Sequence, residues 1–550
     1  MVLTTKSLTV SGIRCFHQAT TASADYEVAI EALNSLQSNA SVLEERRKTR
    51  LICPQENVKQ TERYLNKIGI KVEDLDKLNV IHVSGTKGKG STSAYCENLL
   101  RNHGYTTGFF SSPHLVAVRE RIRLNGKPIS EEKFAGHFWK IYNDLVAKKE
   151  SDGDMPAYFK FLTVMAYYVF LEEKVDAAIV EVGIGGQYDC TNVIRNPVVC
   201  GVTSLGLDHI NMLGSTIDKI AWQKSGIFKP NVPAFTVKQP QEAIEILFDR
   251  ANDIKCPLHV VPSLELHIDE NMLSCLNFSS PIQYINAALA MQLVHTWLNH
   301  QKLGEHEEIG DGCIATPDLI KFAPPLSLNE NTIKGLRDLY WPGRCQVLIK
   351  DSIHYFLDGA HTKESIEVCI KWFETVSKIQ EKKTNRPVFR LLVFNIFGDR
   401  KAENILPALV NSKFDLVTFC PNFAHVSINA ASDQNAVSSS WEAQMERCTH
   451  NSHVWMHLAD EKQQNESQNK PNSIKTVVFP SICDVTKWLT HTRNYEKGIS
   501  NGVEPDVVIP MLKCEKLFAA AEVHVLVTGS LHLVGGFLSI LDPHLTESYK

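Results

Sequence analysis

None of the 14 cysteines stands in a Cys-x-x-Cys pair, so zinc-ribbon and iron–sulfur chemistry have no support. Scattered thiols in that number suit a reducing compartment better than a disulfide framework. No apolar run approaches the length of a membrane span. Positive charge is not in excess: 57 Lys and Arg against 62 Asp and Glu leave a net charge of −5. No broad basic field therefore calls for nucleic acid. Acidic residues are missing before Asp25. That leader holds Lys6, Arg14 and many Ser and Thr, with no sustained apolar core. The pattern argues against a secretory signal and fits a mitochondrial transit peptide over residues 1–24, or else a disordered tail. What is present is 43% hydrophobic residues over 550 positions, enough for two or more domains with ample cores.

The chain is organised around Asn79-Val80-Ile81-His82-Val83-Ser84-Gly85-Thr86-Lys87-Gly88-Lys89-Gly90-Ser91. A short apolar strand runs into a glycine loop and then into a helix carrying Ala94, Leu99 and Leu100. Glycines let backbone N–H groups turn inward, and a helix N-terminus adds partial positive charge. Lys89 can reach outer phosphates, and the Ser91 hydroxyl can meet magnesium. The loop is shorter than the common pattern, and Gly90 parts the lysine from the serine. The bland alternative is a flexible surface turn; three glycines, two lysines and a serine in this context point to a nucleotide.

Along the chain, helical patterns cover Tyr26 to about Lys48 and Thr61 to Ile70. Thr106 to Phe110 reads as a buried strand. It ends at Ser111-Ser112-Pro113-His114-Leu115, where Pro113 cannot continue a ladder. Val118 to Arg123 is densely charged, which suits either a solvated connection or a lid offering arginines to anions. A helix from Phe159 to Glu172 precedes the strand Ala177 to Gly183. Glu181 closes that strand, and a carboxylate there is expensive unless paired or metal-bound. Ligands of open α/β sheets sit at carboxyl ends of strands, so Glu181 is a magnesium candidate. The strand Val198 to Ser204 ends near His209, either a loop histidine or a ligand in the same crevice. Ser215 and Asp218 form a capping-box pattern, and Gly226 can close that helix. Ile217, Ile220, Ala221 and Lys224 share one stripe. Lys224 is then a snorkelling stem, an amine of lowered pKa, or a lysine that carbamylation turns into an anion. Strand-like segments Val232–Val237 and Leu258–Pro262 follow. Asn286 lies at the beginning of a helix, where its amide either reads a purine edge or caps the helix.

Residues 301–330 are polar and irregular, and Trp341-Pro342-Gly343-Arg344 marks a break. We place domains at 25–340 and 341–550. The second half restarts strand–helix alternation, with strands Tyr355–Leu357, Arg390–Phe394, Asp415–Phe419 and His524–Thr528. Polar groups again collect at strand ends, among them Asp358 and His361. Between 422 and 475 the Gln-, Asn-, Ser- and His-rich composition suits a poorly ordered surface insert.

Seven stretches together resemble a known family: Ser84 to Ser91, Phe109 to Leu115, Glu181 to Gly186, Leu207 to His209, Lys224 to Phe228, Trp341 to Arg344 and Leu357 to His361. They are similar to the folylpolyglutamate synthases, within the Mur-ligase-like ATP-dependent amide-bond ligases. The resemblance spans about residues 25–420 and the last thirty. Thr362 stands where bacterial relatives usually carry Asn, which looks like the eukaryotic branch.

The resemblance implies an α/β fold: a P-loop, Mur-ligase-like central domain with a mostly parallel sheet, plus a smaller doubly wound C-terminal domain. It implies ligation of L-glutamate to the γ-carboxylate of a reduced folate, through an acyl phosphate, with ATP and Mg2+ and room for a monovalent cation such as K+. By carry-over, Gly85, Thr86, Lys87, Gly88, Lys89, Gly90 and Ser91 hold phosphates, and Asn286 meets adenine. Arg344, Asp358 and His361 come to ATP from the second domain. Ser112, Glu181 and His209 look like magnesium ligands, with Ser91 nearby. Lys89, Lys224 and His209 form the catalytic set, and Lys224 matches a lysine that relatives carbamylate. Ser111, Pro113, His114 and Leu115 resemble the loop near folate. The expected setting is a monomer in the mitochondrial matrix and cytoplasm. Dihydrofolate synthase activity is the nearest rival; a cell-wall ligase fits poorly with the leader, and an inactive nucleotide-binding scaffold would not need so complete a set.

Overall fold

The apolar run before the glycine loop forms strand β1 (Ile81–Ser84), buried along its whole length. A strand covered on both faces belongs inside a parallel sheet, and β1 has parallel partners on either side. The computed structural model describes residues 22–37, 55–268, 280–303, 321–384, 387–396, 400–426, 440–465, 476–496, 520–545 and a few between.

The first unit opens with helices α1 (Ala22–Ser35) and α2 (Glu56–Lys67). After β1 come α3 (Lys89–Asn102), β2 (Thr107–Phe110), β3 (Ile122–Leu124) and β4 (Lys127–Pro128). Then follow α4 (Glu131–Ala147), α5 (Tyr158–Glu172), β5 (Ala177–Glu181), β6 (Val199–Val202) and α6 (Ile217–Lys224). β7 (Ala234–Thr236), α7 (Gln241–Ile254), β8 (Leu258–Val260) and α8 (Pro281–Leu303) complete it. The sheet order is β4-β3-β2-β5-β1-β6-β7-β8. Only the β2–β3 and β3–β4 pairs are antiparallel.

The chain leaves β1 towards β2 on one side and runs from β6 towards β7 on the other. The reversal lies at β1 and β6, which puts a crevice at their carboxyl ends. One face of the sheet is covered by α3 and α8, whose Leu99, Leu289 and Trp297 are buried. The other face is covered by α5, where every residue from Lys160 to Phe170 is buried. A helix apolar all round has to lie inside, here between the sheet and α4.

Helix α9 (Glu330–Arg337) and the Trp341–Arg344 segment lead into the second unit. Its elements are β9 (Gln346–Lys350), β10 (Ile353–Leu357), α10 (Lys363–Thr384), β11 (Val388–Phe394), α11 (Leu406–Val410) and β12 (Leu416–Phe419). They continue with α12 (Trp441–Asn465), β13 (Thr476–Val478), α13 (Ile482–Glu496), β14 (Glu522–Thr528) and α14 (Leu531–Leu541). The order is β13-β12-β11-β14-β10-β9, parallel except for the β9 edge. Short loops and continuous apolar strands again put α-helices on both faces.

Three expectations need correction. α1 stops at Ser35, and the rest of the run to Lys48 lies outside the described residues from 38 onward, as does the leader over 1–21. The capping box at Ser215 and Asp218 is not formed: Thr216 is the N-cap of α6 and makes no side-chain cap. The polar stretch 422–475 is no featureless insert, because α12 occupies its middle and buries Cys448 and Trp455. Ser452 Oγ donates to Thr476 Oγ1 of β13 at 2.9 Å.

Candidate active site

The glycine loop is pinned before it is free to bind anything. The amides of Thr86 and Lys87 both donate to the Ser204 carbonyl at 3.0 Å. Thr86 Oγ1 donates to the Gly206 carbonyl at 3.1 Å. Gly88 turns the chain at φ 91°, a left-handed conformation open to glycine. A Cβ there would stand 2.2 Å from Asn286 Oδ1, so only glycine lets α8 come this close. Asn286 is buried in the second turn of α8 and accepts from Thr92 Oγ1 at 3.4 Å. It is therefore no helix cap, and its amide borders the loop. α3 begins at Lys89 with Gly90 and Ser91 in its first turn, which directs the N-terminus of a 14-residue helix into the crevice.

Lys224, at the end of α6, is buried and donates to the Gly85 carbonyl at 2.7 Å. Burial, with Lys89 and Lys87 nearby, pushes its ammonium well below the ordinary range. Gly226 follows, and a Cβ there would stand 2.4 Å from Gln187 Cα. The loop after β5 and the end of α6 thus interlock, which fixes Lys224 against the glycine loop.

Glu181 ends β5 and is 4% exposed. The Ser112 amide donates to its Oε2 at 3.0 Å, while Oε1 meets no donor among the described residues. Burial pushes this carboxyl up, and Lys89, the Ser112 amide, Arg344 and Arg121 pull it back. A buried carboxylate with one bare oxygen, beside a glycine loop, is a donor set that suits a hard cation. Gly90 borders it: a Cβ there would lie 3.4 Å from Oε2. His209 sits in a left-handed conformation, φ 50°, ahead of a single helical turn. Its ring is exposed and makes no hydrogen bond to Glu181 or Ser112 among the described residues.

The segment after β2 turns inward. Ser111 is buried, with its amide on the Arg121 carbonyl at 3.1 Å. The Ser112–Pro113 peptide is cis and Pro113 is exposed. Arg121 Nε donates to His114 Nδ1 at 2.9 Å, and His114 Nε2 lies 2.8 Å from the Asp433 carbonyl. The neutral ring therefore carries its proton on Nε2. Leu115 packs on the core of the second unit, beside Val534 and Leu533. The charged run 118–123 is not a solvated connection. Glu120, Arg121 and Arg123 are all buried, and the Arg123 guanidinium lies 4.8 Å over the Trp341 ring. A cavity of about 20 Å³ remains among Ser111, Pro113, His114, Leu115, Arg344 and Leu531, room for about one water.

The second unit supplies the opposite wall. Arg344 is half-buried, with Nη1 on the Gly343 carbonyl at 3.1 Å. Asp358, at the end of β10, accepts the Cys345 amide at 2.8 Å and the Ala360 amide at 2.9 Å. Burial raises its pKa against the pull of Arg344.

A polar cluster joins the two units. Lys87 Nζ lies 3.1 Å from Asp208 Oδ2 and 2.7 Å from His361 Nε2. His361 Nδ1 donates to the Gly359 carbonyl at 2.7 Å, which leaves Nε2 to accept from Lys87. Arg400 Nη2 reaches Asp208 Oδ1 at 3.1 Å. Burial pushes Lys87 down to about 8 although Asp208 opposes it. Burial and Lys87 take His361 down to about 4. Burial alone would raise Asp208, but His361, Lys87 and Arg400 hold it well below the usual carboxylate range. Sequence reasoning gave no role to Asp208 or Arg400, and treated Arg121 only as part of the charged run 118–123. Asp208 stood in plain view beside His209; nothing local marks its partner Arg400, 192 residues away.

The structure thus brings Lys87, Lys89, Lys224, Glu181, Ser112 and Asn286 together from the first unit, with Arg344, Asp358 and His361 from the second. Among the described residues neither the His209 ring nor the Ser91 hydroxyl joins that network by a hydrogen bond, although the His209 amide donates to Asp208 Oδ1 at 3.0 Å. No family model matches the chain. The mitochondrial folylpolyglutamate synthase of Cricetulus griseus is 43% identical over 548 residues, covering 95% of this chain and 93% of its own. That of Homo sapiens is 43% identical over 550 residues, with coverage of 96% and 93%. The solved structure of Mycobacterium tuberculosis folylpolyglutamate synthase complexed with ADP superposes with a TM-score of 0.64. It covers 95% of this chain and 99% of its own at 20% identity, which establishes likeness of fold. With a two-sheet fold, a pinned glycine loop and such identity along nearly the whole length, the chain belongs to the folylpolyglutamate synthase family.

Proposed function

We propose that this chain is an ATP-dependent ligase that adds L-glutamate, repeatedly, to the γ-carboxylate of a reduced folate. The observation that carries the reading is 43% identity to mitochondrial folylpolyglutamate synthases over 95% of the chain. A carboxylate is a poor electrophile, so its oxygen first attacks the γ-phosphorus of ATP and ADP leaves. The resulting acyl phosphate is then attacked by the glutamate amine, and phosphate departs as the amide forms. In this reading the loop Gly85–Ser91 and the α3 N-terminus cradle the phosphates, and Lys89 offsets charge on the phosphoryl oxygens. Asn286 lies at the adenine end. Arg344, Asp358 and His361 complete the nucleotide site from the second unit.

Glu181 and Ser112, with Ser91 and His209 added on the resemblance, would hold Mg2+, which when bound spreads and neutralises phosphate charge. The bare Oε1 of Glu181 supports that choice. K+ joins the reading on the resemblance alone. Lys224 fixes the Gly85 carbonyl and, if carbamylated, becomes an anion facing the same crevice. Ser111, Pro113, His114 and Leu115 border the folate in this reading, and the small cavity there fits entry of folate as the units part. Water would destroy an acyl phosphate, so the units close again for chemistry. The mitochondrial relatives support a mitochondrial setting; a cytoplasmic pool and a monomeric state complete the proposal.

The test is ADP release by the purified chain with ATP, Mg2+ and L-glutamate, supplied with tetrahydrofolate or with dihydropteroate, followed by product masses. We expect folates lengthened by several glutamates, and loss of turnover by at least about 100-fold in Lys89→Ala. A single addition confined to dihydropteroate would make the chain a dihydrofolate synthase. Silence with both acceptors would leave a nucleotide-binding scaffold.

A further inference from the structure

At the opposite end of the second sheet, His354 and His524 sit side by side on the parallel strands β10 and β14. Glu522 opens β14 two residues earlier. We propose that these three side chains form a binding site for a divalent transition metal, Zn2+ being the best match. One ring nitrogen each of His354 and His524 and a Glu522 oxygen all lie within 4.8 Å of one another. Glu522 Oε2 is 3.2 Å from His524 Nε2 and 3.7 Å from His354 Nε2. A tetrahedral zinc with ligands at about 2.0–2.1 Å sets neighbouring donor atoms about 3.3–3.4 Å apart. The two carboxylate–imidazole spacings are thus close to those of a zinc site, and the two ring nitrogens, within 4.8 Å of each other, would draw in around the ion. The imidazoles stack with centroids 5.0 Å apart and planes 28° apart.

The surroundings point the same way. His524 is fully buried, and its Nδ1 lies 2.8 Å from Ser377 Oγ on α10. That contact orients the ring, as outer partners of ligating histidines do, and its Nε2 makes a hydrogen bond of 3.2 Å to Glu522 Oε2 that an ion between them would replace. The Arg390 charge acts on His524 but is engaged elsewhere: Nε donates to Ser377 Oγ at 3.1 Å, and Nη2 pairs with Glu381 at 2.7 Å. His354 is the telling residue. It is 7% exposed, its buried Nδ1 has no hydrogen-bond partner, and its Nε2 is too far from Glu522 to bond. His354 Nε2 thus faces the Glu522 carboxylate at 3.7 Å, beyond hydrogen-bond reach, and an ion between them would bridge that gap. Glu522 keeps 17% exposure, which gives access and a place for water as fourth ligand. The His2Glu set with an open position is a zinc set. Such an ion would tie together the two strands whose far ends carry Asp358 and Ser530.

The full chain would be loaded with Zn2+, dialysed against a weak chelator and its zinc content measured. His354→Gln and Glu522→Gln are compared with the unaltered chain. We expect one equivalent of zinc fewer in each variant, and a higher melting temperature with zinc in the unaltered chain only. Co2+ in place of Zn2+ should give visible absorption bands of a tetrahedral site, lost in either variant. Ser377→Ala should weaken Zn2+ binding about 10–100-fold. Equal zinc content in all three chains, or Co2+ without visible bands in the unaltered chain, overturns the site. If one variant fails to fold, the Co2+ spectrum of the unaltered chain decides alone.

Discussion

His361 shows how one side chain couples pH to the joint between the units. Its ring is neutral at pH 7 because burial, then Lys87, push its pKa down to about 4. Its Nε2 can then accept from Lys87. The folded protein resists a proton that the unfolded chain takes up near pH 6.5. Stability from this group is therefore complete above about pH 6.5 and lost as pH falls towards 4. The loss is of the order of 1–3 kcal/mol. We expect the melting temperature to drop over pH 6.5–4, and His361→Gln to flatten that drop. Equal slopes for both chains would rule the mechanism out. At this scale the site was partly legible. Lys89, Glu181 and Lys224 announce themselves by glycine context, a strand end and a helical stripe. Asp208 and Arg400 do not, because a pair formed 192 positions apart leaves no local period.

Helix α12 was hidden for a different reason. Its buried stripe runs Gln444, Cys448, Asn451, Ser452, Trp455, a helical spacing of polar and small residues. Hydropathy sees little in such a face, although it packs on β12, β13 and α11. Gln444 Oε1 accepts the Asn422 amide at 2.8 Å, so the polar side chains serve the fold. Trp455 fills the middle and is fully buried. Trp455→Ala should cost about 3–5 kcal/mol, through lost burial and the cavity left behind. Chemical denaturation would show it, and a loss below about 1 kcal/mol would mean that α12 is peripheral after all. The parallel strands were easier to read, since continuous Val, Ile and Leu runs have one common solution, burial on both faces. In the first sheet the expected strands run past the ladder by a residue or two, where ladder bonds stop before apolar character does, whereas Tyr355–Leu357, Arg390–Phe394 and His524–Thr528 each start two residues late.

Two sheets meet by the carboxyl ends of their strands. β1 and β6 contribute Lys87 and Asp208, while β10 and β11 lead to His361 and Arg400. Arg344 lies where it feels both Asp358 of its own unit and Glu181 of the other. That two alternating patterns build two sheets was legible from the sequence. Which polar ends would meet was not, because the meeting is a property of packing between units and of no segment within one. The central claim is that the ligase site exists only where the two units join. It is tested most directly by Arg344→Ala, read as ADP release that depends on both folate and glutamate, in protein whose melting curve matches the unaltered chain. We expect kcat/KM to fall by about 100-fold or more, with Arg344→Lys restoring little, since the planar fork is lost. Turnover within about twofold of the unaltered chain would contradict the account and place the chemistry in the first unit alone.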